Sequence, residues 1–126
     1  VSKAVTIIAA ILGFSGVALG AFGAHGLKAV VSPAMLEVWK TAVSYQMYHV
    51  APILLLGLFP AVLGSKARCL ASICFVAGVL IFSGSLYALV VFDIPLLGMV
   101  TPVGGGLLLL GWLTLTIGFA TRTFEP

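Results

Sequence analysis

Residues 70–91 form an apolar run about as long as the hydrocarbon core of a bilayer is thick. Inside that run stands Phe82-Ser83-Gly84-Ser85-Leu86-Tyr87. Two serine hydroxyls and a phenol at that depth have no water to bond to. They must find partners inside protein. That requirement constrains the fold more than any other feature, because it asks other membrane-crossing segments to bring polar groups to the same level.

The rest of the chain permits this. Of 126 residues, 62% are hydrophobic and 7% charged. A soluble domain carries roughly 25% charged residues, so this chain cannot clothe a water-facing surface and reads as an integral membrane protein. The length allows one domain, residues 1–126. A net charge of +3 is no nucleic-acid signal, because the basic residues sit near span ends, where they set topology. Cys69 and Cys74 do not share a helix face and form no CxxC. They read as small reduced packing residues.

Four spans are expected, over about 4–24, 41–63, 70–91 and 102–121. The first is longer than the h-region of a secretory signal. It carries Gly13, Gly16, Gly20 and Gly23 at helical spacing, including the GxxxG of Gly16 and Gly20. Such a stripe admits another helix, either of this chain or of a second copy. Ser32-Pro33 is an N-cap and N1 pair, which predicts a short interfacial helix between the first two spans, running into the second. Trp39 beside Lys40 suits the membrane–water interface. Pro52, in the second span, frees the carbonyl of Tyr48. Residues 92–100 form an unusually apolar loop, and Thr101-Pro102 reads as the cap of the last span. Trp112 falls near mid-span, where its indole N–H needs an acceptor. Four spans place both termini on one side, with Lys3, Lys66, Arg68 and Arg122. Lys28 and Lys40 lie on the other. The basic excess predicts cytoplasmic termini.

The polar residues then segregate. Tyr45, Gln46, His49, Ser83, Ser85 and Tyr87 fall in the outer half, with His25, Asp93 and Thr101 at the outer rim. His49 lies roughly 12 Å below the boundary at about 1.5 Å per residue. Two readings fit: a hydrogen-bond network that glues the helices, or a small polar pocket for a ligand, a lipid or a proton. Haem is disfavoured, since His25 and His49 lie at different depths and axial ligands must be level across the ring. Zinc lacks ligands of the right kind. With no nucleophile and base set in a span, no catalysis and no cofactor are expected.

Four strings in order carry a family likeness: Gly20-Ala21-Phe22-Gly23-Ala24-His25-Gly26-Leu27, Tyr45-Gln46-Met47-Tyr48-His49, Phe82-Ser83-Gly84-Ser85-Leu86-Tyr87 and Thr101-Pro102-Val103-Gly104-Gly105. Over nearly the whole chain they resemble the YgdD/YwdK-like family of small four-span membrane proteins. The resemblance implies a four-helix membrane fold in a bacterial inner membrane, with its polar motifs on one side. It implies no activity. The expectation is an all-α, four-transmembrane-helix bundle without catalysis. It serves as a structural or accessory subunit with a polar small-ligand or lipid site at His25, Tyr45, Gln46, His49, Ser83, Ser85, Tyr87, Asp93 and Thr101. Its expected partners are membrane lipids and a homo-oligomer or larger membrane complex. The alternative is a small-solute or proton pathway through His49.

Overall fold

The computed structural model describes residues 2–124. Four α-helices account for most of them: α1 Lys3–Phe22, α2 Pro33–Leu58, α3 Ser65–Phe92 and α4 Thr101–Ala120. No strand occurs among the described residues. A π-helical turn, Gly23–Leu27, extends α1, and short 3-10 turns, Pro60–Val62 and Pro95–Met99, precede α3 and α4. Three helical stretches, Lys3–Leu27, Ser65–Phe92 and Pro95–Ala120, are long and apolar enough to cross a membrane. The fourth, α2, is 26 residues long but is diluted by Tyr45, Gln46, Tyr48 and His49.

The helices pack mainly in chain order: α1 on α2, α2 on α3, α3 on α4. The start of α1, the α2–α3 turn and the residues after α4 share one end, the terminal face. Glycines set the closest approaches. The α1 stripe is used within the chain: a Cβ on Gly13 would touch Val50, one on Gly20 would touch Val43, and one on Gly16 would overlap Met47. Between α3 and α4, a Cβ on Gly104 would fall 2.8 Å from the Cα of Phe82. In hydrocarbon, where burying apolar surface gives no drive between helices, such contact is what holds them together.

Two apolar clusters bracket the polar level. Towards the terminal face, Leu12, Ile53, Leu56, Phe75, Val79 and Leu108 form the larger one. Towards the opposite face, Leu27, Trp39 and Val90 form the smaller. Large apolar side chains also cover the outside, with Phe14 80% exposed and Ile11, Leu80 and Leu109 among many others. A water-soluble monomer does not carry so continuous an apolar surface; a lipid-facing one does.

Several local expectations change. The helix begun at Ser32, whose hydroxyl accepts from Met35 N at 3.2 Å, is no separate interfacial piece. It is the first part of α2 and continues unbroken past Pro52. Trp39 is 3% exposed rather than an interfacial anchor. Its indole N–H donates to the Leu19 carbonyl at 2.9 Å. The ring fits because residue 23 is glycine; a Cβ there would stand 2.5 Å from Trp39 Cδ1. Thr101 does not cap α4. The 3-10 turn Pro95–Met99 leads straight into that helix, and the amide of Val103 bonds Val100 O at 3.1 Å. The threonine hydroxyl is thereby released for a tertiary bond. The apolar loop turns its large side chains, Phe92, Leu96 and Met99, outward.

Candidate functional site: a polar layer and the groove beside it

The geometry of α3 explains the division of its polar groups. Residues 83 and 87 are one turn apart and share a face, while residue 85 lies on the other side. Ser83 Oγ donates to Ala42 O of α2 at 2.7 Å. Tyr87 donates its hydroxyl to Gln46 Oε1 at 2.7 Å. Ser85 instead meets Thr101 of α4, oxygen to oxygen at 2.6 Å. Each hydroxyl thus joins α3 to a neighbour.

Gln46 is the junction. While its oxygen accepts from Tyr87, its Nε2 donates to Leu12 O at 2.8 Å and to Ser15 Oγ at 2.9 Å. Three helices therefore meet on one buried amide. The sequence reading omitted Ser15, although Phe14-Ser15-Gly16 echoes Phe82-Ser83-Gly84. Both serines turn out to face α2, four residues apart along it, at Gln46 and Ala42.

His49, 4% exposed, links α2 to α4. Its Nδ1 lies 2.6 Å from Tyr45 O, and its Nε2 lies 3.0 Å from Trp112 Nε1. A carbonyl only accepts and an indole N–H only donates. Nδ1 therefore carries the proton and Nε2 accepts, so the ring is neutral with both nitrogens engaged. Trp112 is the partner that sequence reasoning missed. Its mid-span position and need for an acceptor were the available signal; the α2–α4 register that pairs it with His49 was not.

Among the described residues, one buried side-chain nitrogen or oxygen lacks a partner, Arg122 Nε, far from this layer. The polar groups of the layer are satisfied by one another and by backbone carbonyls, mostly across helix contacts. His25 and Asp93, expected at the site, stand apart and exposed. His25 lies in the π-helical turn after α1. Asp93 ends α3 with φ of 51°, a left-handed conformation that aspartate tolerates better than most residues. Its role there is to stop the helix.

Beside the layer runs a groove of about 680 Å³ between α2 and α4. Tyr45, Tyr48 and His49 form one wall. Pro102, Gly105, Gly106, Leu108, Leu109 and Trp112 form the other, with Phe82 at the base. Tyr45 stacks on Phe82 with centroids 4.4 Å apart. Tyr45 and Tyr48 are 40% and 65% exposed, so their phenols are available to a bound molecule. Tyr48, Phe82 and Trp112 join the predicted Tyr45 and His49 here. Gln46, Ser83, Ser85, Tyr87 and Thr101 lie behind, between the helices.

Four helices, a lipid-facing surface and an internally satisfied polar layer define a small helical membrane protein. The chain belongs to the family described as "Protein of unknown function (DUF423)", which matches residues 19–105. A UPF0382 membrane protein of Staphylococcus aureus (strain bovine RF122 / ET3-1) is 41% identical over 115 residues, covering 91% of this chain and 93% of the relative. The UPF0382 membrane protein YwdK of Bacillus subtilis (strain 168) is 40% identical, covering 91% and 94%. A UPF0382 membrane protein of Haemophilus influenzae is 39% identical, covering 93% of each chain. No solved structure matches.

Proposed function

We propose that this is a non-enzymatic membrane protein that holds one chain of a membrane lipid in the groove between α2 and α4. The groove carries the reading. From Pro102 to Trp112 it runs about 15 Å at about 1.5 Å rise per residue, which is half the roughly 30 Å hydrocarbon core. It therefore matches one leaflet. Its walls are rings, leucines and bare glycine backbone, suited to methylenes. The phenols of Tyr45 and Tyr48 are the donors for an ester carbonyl. Neither His49 nor the serines offer a base or a nucleophile, because their hydrogen bonds are already committed.

A proton path through His49 has less support. Both ring nitrogens are engaged, and towards the terminal face His49 gives way to the apolar cluster of Phe75, Ile53 and Leu56, with few polar side chains beyond Thr6 and Ser72. The basic excess at the terminal face favours cytoplasmic termini, in a bacterial inner membrane. If the protein works as a subunit of a homo-oligomer or larger complex, the exposed Ile7, Ile11 and Phe14 side of α1 is the surface for it, since the glycine stripe is already taken by α2.

Gly106→Phe tests the groove. A Cβ at Gly106 meets nothing within 4 Å, so the ring fills the groove without disturbing the helices. Blocking as few as two methylenes, at about 0.8 kcal/mol each, weakens lipid retention about tenfold. Native mass spectrometry of protein extracted from membranes reads this. Equal lipid adducts on parent and variant would remove the groove as the site.

A further inference from the structure

A second cavity, of about 600 Å³, opens at the terminal face where α3 begins and α4 ends. Gly64 and the first residues of α3, Ser65, Lys66 and Ala67, line one side, and Gly118 of α4 with Thr121, Arg122 and Thr123 just beyond that helix line the other. Two cations face the same space, and no acidic side chain lines it among the described residues. The other nearby cation is occupied elsewhere: Arg68 Nη1 donates to Pro60 O at 2.7 Å.

The guanidinium of Arg122 is the telling group. Its Nε is buried and has no hydrogen-bond partner among the described residues. One of its terminal nitrogens, Nη1, lies over the start of α3, 3.8 Å from where a Cβ on Gly64 would be. The first amides of α3 point their N–H groups outward there, and Gly64 caps them with no side chain. A cation favours the C-terminal end of α4 but not the positive end of α3 beside it. A buried N–H with no acceptor costs about 1–3 kcal/mol. An anion in the cavity offsets the positive charge that Arg122, Lys66 and the start of α3 bring together there.

We propose that this cavity binds a phosphate group, with Arg122 supplying forked donors, Lys66 a point charge, and Ser65, Thr121 and Thr123 the hydroxyls. Phosphate suits the set because guanidinium forks and helix N-terminal amides both match its geometry. The position at a span end, beside lipid, makes a phospholipid headgroup one source and free phosphate the other. This site is separate from the α2–α4 groove and does not depend on it.

The test uses delipidated full chain in neutral detergent. The probes are phosphatidylglycerol, oleate as an anionic lipid without phosphate, and inorganic phosphate. Native mass spectrometry reads the lipids and calorimetry reads phosphate. Arg122→Gln lowers phosphatidylglycerol binding about tenfold, the effect of one charge-assisted hydrogen bond. Lys66→Gln, an exposed position that leaves folding intact, lowers it less, and Arg122→Lys restores part of the loss. Lys28→Gln, at the opposite face, changes nothing, and oleate binding is indifferent to all four. Inorganic phosphate bound with the same dependence on Arg122 and Lys66 assigns the site to the free anion. Phosphatidylglycerol bound with that dependence and phosphate not bound assigns it to the lipid. Phosphatidylglycerol binding unchanged by both Arg122→Gln and Lys66→Gln, or lowered equally by Lys28→Gln, overturns the proposal.

Discussion

Gly104→Val lowers stability in bicelles by about 3 kcal/mol, the upper end of ordinary overpacking costs, while Gly106→Val changes it by less than about 0.5 kcal/mol. The two residues belong to the same run of three glycines and differ only in what they face. A Cβ at Gly104 meets the backbone of Phe82, its Cα at 2.8 Å, and a backbone cannot rotate away. The helices must separate, and the bond between Ser85 and Thr101 then stretches with them. At Gly106 there is open space. Steric-trap unfolding of the parent and both variants measures the difference. Equal costs at the two positions would show that the α3–α4 contact is not the tight one described.

The second large effect is at Gln46. Gln46→Leu keeps most of the volume but strips Tyr87 of its acceptor and Ser15 of its donor. A buried hydroxyl left without its partner costs about 1–3 kcal/mol. With the lost amide bonds the expected total is about 2 kcal/mol, even allowing for the roughly 0.6 kcal/mol average of single hydrogen bonds between helices in membranes. Tyr87→Phe alone costs about 1 kcal/mol. The double variant costs less than the sum by about 1 kcal/mol, because with both partners of that one bond replaced by apolar groups no hydroxyl at position 87 is left without an acceptor. A strictly additive cycle would mean that the two side chains do not bond.

That coupling marks how far the sequence could be read. Ser83, Ser85 and Tyr87 announce themselves because hydrocarbon leaves them no other partner, and α2 and Thr101 of α4 supplied the groups to meet them. The individual pairs were not legible. They depend on how far each helix slides past the next, and that is set by contacts such as Gly104 on Phe82 and Gly16 on Met47. Trp39 illustrates the limit. Tryptophan beside lysine usually marks an interface, but Gly23 on the neighbouring helix made room for the ring, and the indole turned inward. Thr101 had the sequence of a cap, yet the preceding 3-10 turn left its hydroxyl free for Ser85. His25 and Asp93 were grouped with the site by depth alone, and depth says nothing about which way a side chain faces. The groove was the least legible feature. It is a gap left where Gly105 and Gly106 supply no side chains, and spacing cannot reveal what packing fails to fill.

Polar groups from separate helices are bonded to one another within the membrane. The contact between His49 and Trp112 spans the widest sequence separation of these bonds. Solid-state nitrogen-15 NMR of histidine-labelled protein in lipid at neutral pH tests it most directly. The expected spectrum is that of a ring with the proton on Nδ1 and an unprotonated Nε2 whose resonance shifts in Trp112→Phe. A proton on Nε2, a doubly protonated ring, or an Nε2 signal indifferent to Trp112→Phe would contradict it.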